Sequence, residues 1–373
     1  MKIIYLSNAV IPSRSASSVH VMKMCRAMAS IGHDVHLLKI DNRKPGLQSE
    51  NPHSFYSVDD NFSLHSVPWF PRLPGKYYLY GLMSARKAIK MDPDLIYGRY
   101  LFGIYVAALM GQEVVFESHT DEFTRSKIHH RMINYLATSE KCRRVVVISN
   151  ALRDAYINEY PALAEKIIVA HDGADVKSLP ELKPDRTEKT FTVGYVGSLF
   201  PGKGMELISE LVQECPDIEF RVVGGSEKEV ADWRGKLKGG ENITFTGFLP
   251  HAETEAELKN MDIVLAPYLK KVYANSGKGI EISRWMSPMK IFEYMSARRP
   301  IVCSDLPVIR EVLISEEHAL LCNPDNVEEW VAALLRLKTD EELRGKLAEN
   351  AFKKLKQNYT WKKRAENVLA ELD

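Results

Sequence analysis

A glycine-rich turn between a predicted strand and a predicted helix is the first segment whose residues are suited to chemistry. Residues 193–206 read VGYVGSLFPGKGME, with Lys203 between two glycines. Such a turn directs backbone N–H groups and the positive end of a helix at an anion, and a lysine adds charge. Gly197–Lys203 also matches the start of a P-loop, but Gly204 occupies the position of the Mg²⁺-binding hydroxyl. The pattern predicts phosphate binding in another fold, or else a plain structural turn.

A second candidate segment is SPMKIFEYMSA, residues 287–297. Ser287 suits the N-cap of a helix and Pro288 its first position. Lys290 then falls in the first turn, where a cation opposes the helix dipole, so that an anionic ligand explains it better than helix stability does. Glu293 lies one turn further on among apolar residues and needs a partner. Either the vicinal diol of a ribose or a neighbouring cation would provide one.

Polar residues at two predicted strand ends complete the candidates. The buried strand in VVFESHTDEF ends near His119, which can give a hydrogen bond or a proton to a ligand, or bind local backbone instead. Asp121 and Glu122 are weaker candidates, since either could cap the following helix. The serine-rich loop over 12–18 follows the first strand and precedes a helix predicted to begin at His20, where small residues permit close approach of a ligand.

Short apolar runs alternate with helical patterns along the chain, which predicts βαβ units and parallel sheets. Strands are predicted at 2–9, 34–40, 95–97, 114–117, 145–149, 191–196, 219–223, 243–245, 263–267, 300–304 and 319–322. Helices are predicted at 20–30, 103–110, 127–138, 150–160, 205–214, 227–237, 253–260, 288–297, 309–313, 327–337 and, with a break near 358–360, over 340–373. Residues 42–75 break the rhythm. The polar stretch over 176–190 predicts a linker between two doubly wound α/β domains.

Composition supports a folded protein of two domains and argues against a nucleic-acid binder. The 373 residues carry 50 Lys and Arg against 49 Asp and Glu. Residues 1–150, however, hold 19 basic against 12 acidic side chains, a net +7, while the rest is net negative. The five cysteines show no metal-binding spacing, which favours reduced thiols and a cytoplasmic location.

Taken together, these segments resemble the family-4 retaining glycosyltransferases of the GT-B fold, also called group 1. The resemblance covers nearly the whole chain and is strongest over residues 193–325. It is carried by GYVGSLFPGKGMELI, ITFTGFLPHAE, MDIVLAPY, SPMKIFEYMSARRPIVCSDLPVIREVL and ALLCNPDN, with FESHTDEF, VVVISNALRDAY and VAHDGAD upstream and NYTWKKRAENVL downstream.

The resemblance implies two Rossmann-like domains facing a cleft. Residues 1–178 would form the acceptor-side domain, 179–190 a linker and 191–355 the donor-binding domain. A C-terminal helix over 356–373 would cross back to the first domain. The implied substrates are a nucleotide-diphosphate sugar, UDP- or GDP-linked, and a glycan, lipid-linked or small-molecule acceptor. Neither a cofactor nor a metal is expected.

The resemblance also assigns roles to individual residues. Lys203 would contact the donor phosphates, Glu293 would bind the ribose, and His119 would contact the donor sugar. The other donor-binding residues implied are Ser15, Ala16, Gly197, Ser198, Phe248, Ser287, Pro288, Met289 and Lys290. Phe248 lies where the base is usually held, and Ser15 and Ala16 lie where the family has two glycines near the diphosphate.

Three positions depart from the family pattern. Trp285 replaces the first glutamate of a Glu-x7-Glu pair, Ser198 replaces a frequent arginine, and Ser15-Ala16 replaces the glycine pair. Either one phosphate contact is missing, or Arg284 or Lys278 supplies it. These changes keep two alternatives open, a GT-B nucleotide-sugar 2-epimerase and an inactive nucleotide-sugar-binding protein.

The positive charge of the first 150 residues suggests an anionic acceptor. Residues 69–83, WFPRLPGKYYLYGLM, mix aromatic and basic side chains. A second basic group comprises Lys127, His129, His130 and Arg131. Both segments could rest on the inner face of a membrane, or be ordinary solvated surface.

Overall fold

Two parallel sheets, each flanked by helices, organise the chain. The computed structural model describes residues 1–41, 51–176, 190–237, 239–273 and 281–372. Residues 179–189 of the predicted linker and Lys278 lie outside these ranges. The chain divides into a first unit, Met1–Asp172 with Trp361–Asp373, and a second unit, Gly173–Thr360.

The first unit is built on a sheet of seven strands in the order β3-β2-β1-β4-β5-β6-β7, all described pairs being parallel. Its strands are β1 Lys2–Leu6, β2 Asp34–Asp41, β3 Ser63–Pro68, β4 Leu95–Gly98, β5 Val114–Ser118, β6 Cys142–Val147 and β7 Ile167–Val169. Its first helices are α1 Ala16–Ser30, α2 Pro52–Phe55, α3 Lys76–Lys90, α4 Leu101–Leu109, α5 Lys127–Thr138 and α6 Asn150–Glu159, and α14 Trp361–Leu369 packs against α1.

The second unit repeats the design with six parallel strands in the order β10-β9-β8-β11-β12-β13. Its strands are β8 Thr192–Val196, β9 Glu219–Val223, β10 Ile243–Gly247, β11 Ile263–Ala266, β12 Ile301–Ser304 and β13 Leu320–Cys322. Its helices are α7 Met205–Glu214, α8 Glu227–Lys236, α9 His251–Lys259, α10 Met289–Ser296, α11 Pro307–Arg310, α12 Val327–Thr339 and α13 Glu341–Asn358.

Burial explains why these segments adopt these structures. Every residue of β5 and β11 is buried, as expected for central strands covered on both faces. In α7 the buried residues Leu207, Ile208 and Leu211 recur at helical spacing and face the core of the second unit. The carboxyl ends of the central strands thus become the places where each sheet presents polar residues to a ligand.

The structure departs from the sequence-based predictions at several elements. Strands β3 and β7 and helix α3 were not predicted, because β7 is short and the run before α3 is rich in proline and aromatic residues. The predicted helix at His20 begins at Ala16, because the Ser15 side chain caps it by accepting from the Ser18 amide. Ser15 and Ala16 therefore form the exposed start of a helix instead of a loop.

The cap of the other candidate helix is also different from the prediction. Helix α10 begins at Met289 with Pro288 as its N-cap residue and no side-chain cap hydrogen bond, so Ser287 is not the cap. Lys290 remains in the first turn. Asp121 and Glu122 do not cap α5, since Ser126 does so by accepting from the His129 amide.

The boundaries of the two units follow from contacts near residue 173. The residues after Asp172 pair with the second unit, where Ala174 bridges to Thr360 and the Ser296 hydroxyl donates to the Asp175 carbonyl. The predicted C-terminal helix over 356–373 is interrupted after Asn358, and its part from Trp361 belongs to the first unit. Among the described residues, no helix is both long and apolar enough to cross a lipid bilayer.

Candidate active site

The glycine-rich turn of the second unit is shaped to bring two lysines together. Gly197 directly follows β8 at φ +150°, and a Cβ there would stand 2.9 Å from Lys290 Nζ. Gly204, at φ +105°, begins α7, and a Cβ there would stand 2.0 Å from the Pro267 carbonyl oxygen. Larger residues at these positions would displace the turn or the lysine. The glycines therefore serve close packing around the predicted phosphate site.

Two tyrosines form an aromatic wall beneath these lysines. Lys290 Nζ lies 3.7 Å from the centroid of the Tyr195 ring and 5.1 Å from that of Tyr268. Lys203 Nζ lies 5.5 Å from the Tyr268 centroid. We call Lys203 and Lys290 the lysine pair. Cation–π attraction offsets part of the cost of holding two ammonium groups near each other.

Lys290, the more buried lysine of the pair, has no negatively charged partner at hydrogen-bonding distance among the described residues. Lys290 Nζ is buried and has no hydrogen-bond partner in the part of the chain that the structure describes. Burial and the neighbouring Lys203 lower the pKa of Lys290 well below its usual range, although Glu293 opposes this shift. Burial also lowers the pKa of Lys203 to about 8. A bound anion would reverse both effects.

The remaining predicted donor residues of the second unit occupy the surroundings of these elements. Glu293 lies one turn after Lys290 in α10 and is half-buried. Ser198 follows Gly197, and its carbonyl accepts from the Tyr195 hydroxyl. Phe248 follows β10 and is 40% exposed. The Arg284 guanidinium lies over the Trp285 ring, 5.0 Å from its centroid.

On the first unit, His119 directly follows β5 and binds a buried carboxylate. Its Nε2 lies 2.6 Å from Glu117 Oε1, while its side chain is 17% exposed. Glu117 is 0% exposed and also contacts His20 and Arg364. His20 in turn lies 2.8 Å from Asp172. We call these five residues the buried charge network.

Charge compensation within this network sets its protonation. Burial alone would raise the pKa of Glu117, but the Arg364 guanidinium and His20 hold it well below its usual range. Burial and the nearby Arg99 lower the pKa of His119 to about 3. His119 is therefore a neutral imidazole, and it is not an acid at neutral pH. Its chemistry is that of a hydrogen-bonding group.

The network includes the one set of potential metal ligands found among the described residues, formed by His20, Glu117 and His119. Their ligand atoms lie within 4.8 Å of one another. Glu117 Oε1, however, already lies 2.9 Å from Arg364 Nη2, and its Oε2 accepts from the Tyr97 hydroxyl. The donor set is that of a salt-bridged network, since a guanidinium occupies the place of a cation.

Sequence reasoning missed most of the residues that surround the predicted ones. Tyr195 and Tyr268 were overlooked, although each ends or follows a buried strand beside a predicted lysine. Glu117 was overlooked too, although a carboxylate inside an apolar strand is itself a signal. Nothing local pointed to Arg364, because its partner lies 247 residues earlier in the chain. Ser15 and Ala16 lie on the first unit with His119.

Comparison with known proteins now adds to this geometry. A model of the family "Glycosyltransferase Family 4" matches residues 17–178, and one of "Glycosyl transferases group 1" matches residues 181–354. The chain is 22% identical to an uncharacterized glycosyltransferase of Haemophilus influenzae, with 86% of each chain covered. It is 26% identical to the phosphatidyl-myo-inositol mannosyltransferase of Mycolicibacterium smegmatis over 62% of this chain and 55% of that protein.

Solved structures share the architecture of both units. HepE of Anabaena, in complex with UDP and glucose, superimposes with a TM-score of 0.73 at 17% identity and covers 100% of this chain and 99% of its own. A TarM variant of S. aureus in complex with UDP and alpha-GlcNAc-glycerol has a TM-score of 0.73 at 10% identity, with 100% of both chains covered. At these identities the likeness establishes the fold, which is GT-B. The two family models, which between them match most of the chain, show that it belongs to the family-4, or group 1, glycosyltransferases.

Proposed function

We propose that the chain is a retaining glycosyltransferase using a nucleotide-diphosphate sugar, UDP- or GDP-linked. The lysine pair carries this proposal, because Lys290 Nζ is buried with no hydrogen-bond partner among the described residues. A diphosphate supplies the negative charge and the acceptor oxygens that the pair lacks. The UDP in the HepE and TarM structures supports a nucleotide donor for this fold.

The lysine pair would then act on the leaving group. When the bond to the anomeric carbon breaks, negative charge builds up on the departing diphosphate. The ammonium groups of Lys203 and Lys290 and the positive end of α10 would stabilise that charge where it develops. We propose that these groups serve in place of a metal ion.

The rest of the donor site follows from the same placement. Glu293 would bind the ribose hydroxyls and Phe248 would pack on the base. Backbone groups of Ser287, Pro288 and Met289, with Gly197 and Ser198, would line the phosphates and the sugar. Arg284 would supply the contact that Ser198 cannot.

The first unit is proposed to serve the acceptor and the sugar that is transferred. His119 would accept a hydrogen bond from a sugar hydroxyl, since its neutral ring retains a lone pair. Ser15 and Ala16, at the exposed start of α1, would offer amide groups to an oxygen ligand, that of Ser15 in exchange for its long bond to the Ser13 hydroxyl.

An anionic acceptor, such as a lipid-linked phosphate or an acidic glycan, suits the first unit best. Arg99 follows β4, level with Glu117 of β5, and its Nη1 is buried with no hydrogen-bond partner in the described ranges. A guanidinium nitrogen that lacks a hydrogen-bond partner near His119 would match a carboxylate or phosphate oxygen. The net +7 of residues 1–150 would draw such an acceptor towards this unit.

A lipid-linked acceptor would also account for an exposed aromatic surface. Phe70 and Tyr77 are about half exposed, and Lys76 Nζ lies 5.8 Å from the Trp69 ring and 5.7 Å from the Tyr77 ring. Aromatic and basic side chains in this arrangement are suited to the headgroup region of an anionic bilayer. Sedimentation with phosphatidylglycerol vesicles, compared with phosphatidylcholine vesicles, would detect the contact.

Donor and acceptor screening tests the proposal. Release of UDP or GDP would be measured with a panel of sugars and acceptors, with and without a chelator, and the anomeric configuration of the product read from early NMR spectra. We expect acceptor-dependent release, retention and no effect of the chelator. Inversion of the anomeric centre would refute the retaining mechanism. Donor epimerised without acceptor, or donor bound without turnover, would favour the epimerase or the inactive binder respectively.

A further inference from the structure

The carboxylate of Glu117 is the central group of the buried charge network. Its Oε1 lies 2.6 Å from His119 Nε2, 2.7 Å from His20 Nε2 and 2.9 Å from Arg364 Nη2. Its Oε2 accepts from the Tyr97 hydroxyl. Both oxygens are thus committed inside the protein, and the carboxylate is closed to solvent.

Helix α14 supplies the charge that makes this burial tolerable. Arg364 is 3% exposed, and its guanidinium also donates to the carbonyl oxygens of Ala170, at 3.2 Å, and His171, at 3.0 Å. These extra bonds fix the position of the guanidinium and therefore of the carboxylate it faces. An isolated buried carboxylate would be costly, whereas a paired and hydrogen-bonded one can be held in a defined place.

The consequence for His119 is a defined tautomer. A carboxylate oxygen accepts, so the His119 nitrogen that faces it carries the proton, which leaves Nδ1 with a lone pair. No described residue forms a hydrogen bond with Nδ1. The charged and titratable groups around the ring are Glu117 on β5, His20 on α1, Arg99 after β4, and Asp172 and Arg364 further out.

We infer that Glu117 is the positioning residue for His119 and that Arg364 of α14 is the group that makes Glu117 able to do so. Together they hold the proton of the His119 ring on Nε2, with Nδ1 ready to accept a hydrogen bond from substrate. This inference rests on the proposed function for the role of His119 in transfer, but the tautomer itself does not. The low pKa of His119 agrees with it, because burial and Arg99 disfavour the imidazolium.

A purely structural role would be served more simply. Apolar residues of similar size at both positions would give comparable or greater stability than a buried ion pair. The other members of the network instead lie directly beneath His119, which follows β5 at the carboxyl edge of the sheet. Ligands of α/β folds bind at that edge. The free-energy cost of burying these charges is explained if the network fixes the orientation of the His119 ring.

The test combines NMR of the His119 ring with a double-mutant cycle. Histidine would be labelled with ¹⁵N, and His119 assigned by its loss in His119→Gln. In the unaltered protein we expect the Nε2–H tautomer without titration between pH 5 and 8. Arg364→Met leaves Glu117 uncompensated, so the His119 pKa should rise towards that range. Glu117→Gln offers an amide that can accept or donate, so the exclusive preference for the Nε2–H tautomer should be lost. His119 ring signals unaltered in both variants would overturn the inference.

The kinetic arm separates positioning from folding. Arg364→Met should lower kcat by about 10- to 100-fold with little change in donor KM, and this loss should largely disappear in the His119→Gln background. Equal loss in both backgrounds would overturn the inference. Arg144→Met is the matched control, since Arg144 bonds only the α14 carbonyls, at 3.0 Å for Val368, and does not touch Glu117. It should leave the His119 signals and kcat unchanged.

The same experiment distinguishes failure of the proposed function. If His119→Gln retains full kcat, the assignment of His119 to the transfer is wrong, while the NMR arm still decides whether Glu117 and Arg364 set its tautomer. If Arg364→Met does not fold, Glu117→Gln and Arg364→Lys provide the comparison. Arg364→Lys keeps the positive charge but not the planar guanidinium. The His119 ring should therefore stay neutral in this variant, while kcat should be restored only in part.

Discussion

The two units hold their buried charges in opposite ways. In the first unit, the Glu117 carboxylate is paired with the Arg364 guanidinium, and the His20 ring lies between Glu117 and Asp172. In the second unit, Lys203 and Lys290 lie close together over tyrosine rings, and Lys290 Nζ has no hydrogen-bond partner among the described residues. A network that is complete without a ligand can fix the position of a side chain. A pair of like charges that is incomplete without a ligand is suited to bind one.

This difference separates effects on stability from effects on function. Removing a member of the complete network leaves a buried charge unpaired, which destabilises the fold. Removing a member of the lysine pair relieves repulsion in the free protein and harms only the liganded state.

The largest effect is expected from the lysine pair. Lys290→Met and Lys203→Ala should each lower kcat/KM for transfer by about 10²- to 10³-fold, because each removes a charge aimed at the leaving diphosphate. The free energy of unfolding should stay the same or rise. Lys228→Met, at an exposed lysine of α8, is the control and should behave like the unaltered protein. Full activity in both lysine variants would remove the basis of the donor-site assignment.

The buried charge network should show the reverse pattern in stability. Arg364→Met should lower the free energy of unfolding by about 3–5 kcal/mol, since it leaves the Glu117 carboxylate buried and unpaired. Adding Glu117→Met should recover most of that loss. Urea unfolding of the three proteins measures both steps. If the double variant is no more stable than Arg364→Met alone, the loss of stability does not come from the unpaired charge of Glu117.

Arg99 is expected to affect the acceptor only. Arg99→Met should raise the KM of an anionic acceptor by about 10- to 100-fold, because it removes a charge-assisted hydrogen bond. The donor KM should stay unchanged. Arg86→Met, at the outer part of α3, serves as a control for overall charge. Initial rates with a phosphorylated acceptor and its neutral analogue give the comparison. If donor KM changes instead, Arg99 serves the nucleotide sugar.

The smallest effect is a pH dependence of donor binding. The Lys203 pKa is lowered to about 8 in the free protein, and a bound diphosphate would raise it by favouring the ammonium form. Donor affinity should therefore fall by up to about tenfold per pH unit above pH 8, and loss of the proton from Lys290, whose pKa is also lowered, should weaken binding further. Calorimetry in buffers of different ionisation enthalpy should show proton uptake on binding near pH 8.5. Lys203→Arg, which does not titrate there, should show less.

The alternation of strands and helices could be predicted from the sequence because central strands and amphipathic helices carry local patterns. Helix α5 and strand β9 have the predicted bounds, Lys127–Thr138 and Glu219–Val223. Strand β3 was not found, since the segment between Ser63 and Lys76 has no clear period. Helix α3 does carry a helical pattern, with Tyr80, Ser84 and Ala88 buried at four-residue spacing, and was overlooked. Ser15 was placed in a loop because its capping role depends on a single hydrogen bond to Ser18.

The predicted site residues were those with a local signal, and the missed ones depend on tertiary structure. Lys203 and Lys290 stand in recognisable turns, and the structure brings both to one aromatic wall. Tyr268 contributes through its position after β11, which a sequence pattern does not convey. The pairing of Glu117 with Arg364 joins residues far apart in the chain, so no spacing could reveal it.

The order of elements along the chain has a consequence for synthesis. The first unit is discontinuous, because the whole second unit separates Asp172 from Trp361. A ribosome adding about 5–20 residues per second would take about 10–40 s to go from one to the other. During that interval the nascent first unit lacks the arginine that neutralises its central carboxylate. Until helix α14 emerges, the ion pair between Glu117 and Arg364 cannot form.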